Sequence, residues 1–165
     1  MFEIHLDATY AWLGLAVVSV AAVGVAAAFP TSPPPDADGL ARTVDSVADG
    51  EYPATAEHGL AAERIRLASG SVSLGDDRGT ARAALDAPRI TPVVRPPAAA
   101  PNATTDARLR RVLDGAPPDA AFDDPAAFAA AADRARAADA KWTPAPDRLT
   151  VRRVHYGGVR VTLVG

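Results

Sequence analysis

The sequence predicts an α+β fold: one N-terminal transmembrane helix, a proline stalk, and then a small domain of antiparallel hairpins packed with two or three helices. Three observations lead to this prediction. Residues 10–29 carry no charged side chain, prolines crowd the stretch that follows, and the rest of the chain groups strand-type and helix-type periodicity into separate runs. Such grouping is typical of an antiparallel sheet with segregated helices, whereas a parallel α/β sheet alternates the two.

Residues 10–29 predict the membrane-spanning helix. A helix of these twenty residues rises about 30 Å, which matches the hydrocarbon core of a bilayer. Tyr10 and Trp12 lie at one end and Phe29 at the other, where aromatic side chains favour the membrane interface. Pro30 follows and ends the helix, because its ring clashes with the preceding turn.

The short N-terminal tail, residues 1–9, favours an uncleaved anchor over a secretion signal. It contains Glu3 and Asp7 but no Lys or Arg, whereas a signal peptide opens with a basic segment. The apolar run is also longer than the 7–15 residues or so of a signal peptide. We therefore expect the anchor to remain in the mature protein.

Small residues recur along the anchor at a spacing that lets two helices approach closely. They are Ala22, Gly24, Ala26 and Ala28. The spacing predicts packing against another membrane helix, although an alanine-rich helix shows it on every face.

Two features predict that the domain, residues 37–165, faces the outside of the cell membrane. Asn102 is the only asparagine and stands in an Asn-x-Thr glycosylation triplet within a Pro/Ala-rich loop at 95–104. Residues 30–36 form a proline-rich stalk, which suits a spacer that holds a domain away from the bilayer. The positive-inside rule does not decide the orientation of the anchor, because basic residues near it are scarce.

The first element of the domain is predicted to be a short amphipathic helix. Leu40, Val44 and Val47 follow helical spacing, and Asp36 or Asp38 can cap the N-terminus.

Residues 64–94 change to strand periodicity. Ile65 and Leu67 alternate with arginines, and Gly75 to Gly79 supply turn residues. We expect three or four short antiparallel strands, of which 89–94 can only be an edge strand because it contains Pro92.

Two further helices and a hairpin are predicted for the C-terminal part. The first helix follows Thr105 and stops at Gly115, and the second has Asp124 as N-cap with Pro125 at its first position. The predicted buried stripe of the second helix consists of Phe128, Ala131, Ala135 and Trp142. Gly157 and Gly158 lie between two alternating β-branched runs, which is a strong signal for a two-residue hairpin turn.

The polar residues show no pattern of a catalytic, cofactor or metal site. His5, His58 and His155 are scattered, and the chain has no cysteine. The net charge is −3, and basic residues are interspersed with acidic ones, which argues against a nucleic-acid-binding domain. We expect a non-enzymatic protein without a cofactor, whose first partner is the lipid bilayer.

Three stretches resemble a family of haloarchaeal single-pass membrane proteins of unknown function. They read ATYAWLGLAVVSVAAVGVAAAFPTSPPPDA, EYPATAEHGL and LTVRRVHYGGVRVTLV, and the resemblance runs the whole length of the chain. Families of this kind are associated with pilus-like or secretion-like (Tad/type IV) assembly genes. The resemblance implies an accessory or minor pilin-like role in the envelope, with other membrane helices or assembly proteins as partners, and it brings no catalytic residues.

A binding function is the alternative. The domain would then be an anchored module for a small solute or a surface polysaccharide, with its site in a groove between the hairpin and the helices. The candidate residues are Trp142, Tyr156, Arg152, Arg153 and Arg160, and for Trp142 a place in the core explains the sequence equally well.

Overall fold

The computed structural model describes residues 35–87, 89–93 and 107–165, all of which belong to one unit, Pro34–Gly165. The predicted tail 1–9, the anchor 10–29, nearly all of the stalk 30–36 and the loop 95–104 lie outside the described residues. So do the individual residues predicted for those segments, which are Ala22, Gly24, Ala26, Ala28 and Asn102. Among the helices that are described, none has both the length and the apolar character needed to cross a bilayer.

The described helices are short, and an aspartate side chain caps the N-terminus of two of them. They are α1 (Ala37–Ala48), α2 (Ala107–Leu113), a single 3-10 turn (Pro118–Ala120) and α3 (Pro125–Ala137). The Asp36 carboxylate accepts a hydrogen bond from the Gly39 amide at 2.7 Å, and Asp124 accepts one from Ala127 at 2.7 Å. Each satisfies an amide that the helix itself leaves without a partner, as the sequence predicts.

The strands of the described residues form two four-stranded sheets. They are β1 (Ala54–Gly59), β2 (Arg64–Ala68), β3 (Ser71–Gly75), β4 (Thr80–Ala84), β5 (Thr91–Pro92), β6 (Thr143–Pro144), β7 (Arg148–Tyr156) and β8 (Val159–Val164). The first sheet has the order β1-β7-β8-β5 and the second has the order β4-β3-β2-β6. Every pairing is antiparallel except that of β5 with β8, which is parallel.

The first sheet is covered on both faces, so it separates two apolar cores. On one face, Leu149 and Val151 of β7 pack with α1 and with the inner side of the second sheet. On the other face, Val154 of β7 packs with α2 and α3. The alternation along one strand therefore supplies both cores, because successive side chains point to opposite faces.

The α+β prediction and its antiparallel hairpins are confirmed, and the described helices agree with the predicted two or three. The hairpin turn is confirmed in detail, since Gly157 and Gly158 have φ angles of +52° and +83°, which favour glycine.

The prediction that Trp142 belongs to the buried stripe of α3 is wrong: the helix ends at Ala137, and Trp142 is 39% exposed. The edge strand at 89–94 is present as β5, but it is only two residues long and pairs in parallel with β8, so the prediction that it is antiparallel is wrong.

Candidate functional site

An arginine-lined cleft lies on the first sheet near the tip of the β7–β8 hairpin. Its volume is about 210 Å³, and it is lined by Ala48, Arg89, Arg153, Arg160, Val161 and Thr162. These residues come from the end of α1, the segment before β5, and the two hairpin strands. We refer to it below as the arginine cleft.

The hairpin register places Arg153 and Arg160 on the same face of the first sheet. Arg153 pairs with Thr162, and His155 pairs with Arg160, so the two arginines are diagonal neighbours across the strand pair. This is the same face on which Val151 packs under α1. The two-residue turn fixes this arrangement, since a shift of one residue in the pairing of β7 with β8 would place the two arginines on opposite faces.

The cleft exists because α1 stops short of the hairpin tip. The helix covers Leu149 and Val151, and its last residue, Ala48, is already part of the cleft wall. Beyond that point the face of β7 continues with Arg153 and His155, both half-buried. The sheet therefore presents polar side chains in a recess that the helix leaves uncovered.

The arginines of the cleft have no carboxylate partner. Among the described residues, no Asp or Glu oxygen lies within 4.0 Å of a guanidinium nitrogen of Arg89, Arg153 or Arg160. Arg153 donates its Nε hydrogen to Nε2 of His155 at 3.3 Å.

Arg148, at the other end of β7, shows the contrasting case. Its guanidinium contacts the Glu57 carboxylate of β1 at 2.7 Å. The hydrogen bond to Glu57 and the negative charge of that side chain raise the pKa of Arg148 above its ordinary value. The cleft arginines lack such a partner, so their positive charge stays available to an external group.

The structure places the residues predicted for a binding groove in different regions of the domain. Arg153 and Arg160 line the arginine cleft. Tyr156 packs against the core on the opposite face of the first sheet, and its hydroxyl donates to the Phe122 carbonyl at 3.5 Å. Trp142 adjoins the second sheet, with the guanidinium carbon of Arg64 5.5 Å from its ring centroid.

Arg152 also faces away from the cleft. Its guanidinium donates to the carbonyl oxygens of Val112, in the last turn of α2, and of Ala116, just beyond the helix, the second at 3.4 Å. A positive charge at that end also interacts favourably with the helix dipole. The structure thus assigns Arg152 to holding α2 on the sheet.

We expect Arg152→Met to lower the free energy of unfolding by about 1.5 kcal/mol, the contribution typical of a hydrogen bond to a charged group. Methionine keeps the apolar stem of the side chain but removes the donors. Chemical denaturation of the full chain in detergent measures the change. Arg66→Met, at an exposed position on the outer side of the second sheet, is the matched control and should change the free energy by less than about 0.5 kcal/mol. Equal effects of the two substitutions would contradict the structural role of Arg152.

Arg89 was not among the predicted candidates. It is exposed and lies between β4 and β5, next to the fully buried Ile90, and only the tertiary fold brings it to the hairpin. Within the described ranges, no three His, Asp, Glu or Cys side chains come together in a way that could hold a metal ion.

Comparison with known proteins gives one match. The model of a family of unknown function (DUF7283) matches residues 3–154. No curated protein and no solved structure matches the chain.

Proposed function

The chain belongs to the DUF7283 family, a family of unknown function, and we propose that it is a membrane-anchored, non-catalytic protein of the cell envelope. In this proposal residues 10–29 span the membrane once, and the α+β domain lies outside the cytoplasm. The carrying observation is the order of features along the chain. An uncharged run of bilayer length is followed at once by prolines, and the unit that contains both sheets begins at Pro34.

The proposal extends to a role as an accessory or minor pilin-like component of a haloarchaeal pilus-like or secretion-like assembly. Its support is the layout of the chain, an apolar N-terminal helix before a small αβ domain, together with the small residues at helix-packing spacing in the anchor. Partner helices from the same assembly would pack against those small residues.

Protease treatment of intact, osmotically supported cells tests the topology. We expect cleavage within the predicted loop 95–104, because an exposed loop with small residues is a favoured site for proteolysis. The released fragment should carry the C-terminal hairpin, while a cytoplasmic marker protein stays intact. A variant lacking residues 10–29 should leave the membrane fraction. If the chain is cleaved only after lysis, the domain faces the cytoplasm and the proposal fails.

A second candidate function is an anchored binding module for a small solute or a surface polysaccharide. The arginine cleft supports it, because a recess lined by charges of one sign concentrates oppositely charged ligands. A thermal-shift screen of small solutes and polysaccharide fragments tests it at constant salt. A saturable stabilisation by any of them supports binding, and its absence leaves the envelope component as the sole proposal.

A further inference from the structure

We propose that the arginine cleft binds an oxyanion group, that is, a carboxylate, sulfate or phosphate. This inference rests on the binding function proposed second above and is independent of the membrane anchor. The relevant side chains are Arg89, Arg153 and Arg160, with Thr162 on the cleft wall.

The first argument is the charge balance of the site. Arg153 and Arg160 are diagonal neighbours on one sheet face, and Arg89 adds a third positive charge from another segment. Like charges at neighbouring positions on a sheet face repel each other when nothing compensates them. A bound anion would supply the compensation that no described carboxylate provides within 4.0 Å.

The second argument is the match between donors and ligand. A guanidinium presents its N–H groups in a planar fork that fits two oxygens of a carboxylate, sulfate or phosphate. Arg153 uses only its Nε hydrogen, in the bond to His155, so its terminal N–H groups have no acceptor in the described part of the chain. The contact with His155 orients the guanidinium through its Nε atom and leaves the terminal N–H groups available to a ligand. Thr162, 8% exposed, adds a hydroxyl to the same wall.

The third argument is the net electrostatic potential. The C-terminal end of α1 reaches the cleft at Ala48 and brings a partial charge of about −0.5. The three arginines bring three full positive charges, which exceed this partial charge and the single negative charge of Asp49, the C-cap of α1, taken together. The volume of about 210 Å³ is well above the ~30 Å³ that one water molecule occupies in the liquid, and it accommodates an oxyanion or the acidic end of a sugar.

The proposed ligand can come from two sources with the same chemistry. One is a free oxyanion, for which inorganic phosphate is the probe. The other is an acidic sugar unit, for which glucuronate is the probe and glucose is the neutral control.

The full chain in detergent micelles is titrated with each of these probes at constant ionic strength. The Nε–H signals of the arginine side chains are followed by NMR, since they report where binding occurs.

The cleft variant is Arg153→Gln combined with Arg160→Gln. Its control is Arg66→Gln combined with Arg111→Gln, which removes the same charge from exposed positions on the outer side of the second sheet and on α2. We expect saturable shifts in the native chain, an affinity at least about tenfold weaker in the cleft variant, and less than a twofold change in the control. Should the cleft variant lose its fold, the single substitution Arg160→Gln replaces it, since Arg160 is exposed.

Each outcome decides the proposal. Tighter binding of phosphate than of glucuronate identifies a free oxyanion, and the reverse order identifies an acidic sugar; both support the site. Equal losses in the cleft variant and in the control would mean that only overall charge attracts the anion, which overturns the proposal, as does the absence of saturable shifts. If neither anion gives saturable shifts and a neutral solute stabilises native chain and cleft variant alike, the binding module stands and the oxyanion site is rejected.

Discussion

Replacing Phe128 with alanine is expected to lower the free energy of unfolding by about 3–5 kcal/mol. The Phe128 side chain is fully buried between α3 and the first sheet, and its ring centroid lies 5.2 Å from that of Phe122 and 6.3 Å from that of Tyr156. Its buried neighbours on the same helix are Ala131 and Ala132, which have no atoms to move into the space. The substitution therefore removes apolar contact and leaves a cavity, and the two costs add.

Phe128→Leu is the matched control, since it keeps most of the buried apolar volume. We expect a loss of about 1 kcal/mol for it, because nearly volume-conserving substitutions in a core cost less than about 1.5 kcal/mol. Both variants are measured by chemical denaturation of the full chain, with the slope m compared to confirm that the same surface is exposed. A loss below about 1 kcal/mol for the alanine variant would contradict the placement of Phe128 in this core.

Local signals in the sequence predict the helices well, because caps act over a few residues. Asp36 and Asp124 each bond the amide three residues on, and the sequence shows both. Extrapolating helical spacing fails at Trp142, because α3 changes to extended backbone at Ala138, with ψ of 144°, in a stretch without glycine or proline. The spacing that places Trp142 on the stripe therefore continues past the end of the helix.

Two strand pairings depend on contacts far apart in the chain, and the sequence does not predict them. β1 reads ATAEHG and has little of the β-branched or aromatic content that favours strands. It forms because its backbone pairs with β7 in a register that sets Ala54 opposite Arg153. β5 pairs in parallel with β8, and only the folded domain brings those segments together.

The candidate site is predictable in part, because one part of it depends on a local turn and the other on contacts between distant segments. A two-residue turn at Gly157 and Gly158 implies that His155 pairs with Arg160, and it places Arg153 on that face and Arg152 on the other. The hairpin sequence thus contains two of the three cleft arginines. Arg89 joins them through the path of the segment before β5, for which the sequence carries no local signal.

The second large effect is expected for Gly157→Ala, at roughly 2–4 kcal/mol of unfolding free energy. Gly157 has a φ of +52°, where a residue with a Cβ atom costs about 1–2 kcal/mol. A Cβ there would also collide with the ring of Pro125, lying 2.9 Å from its Cβ and closer still to its Cγ. Pro125 is the first residue of α3 and its ring is rigid, so the hairpin tip or the helix start has to move, which adds an overpacking cost of about 1–3 kcal/mol.

Gly158→Ala separates the two contributions to that loss. Gly158 also has a positive φ, +83°, but a Cβ at this position meets no atom within 4 Å. It should therefore show only the backbone cost, about 1 kcal/mol, when both variants are unfolded with denaturant under the same conditions. The difference between the two free energies measures the contact between the hairpin tip and α3. This contact fixes the position of the tip, and the arginine cleft lies on the opposite face of the hairpin. Equal losses for the two variants would show that this contact is absent, and the rigid placement of Arg153 and Arg160 would lose its support.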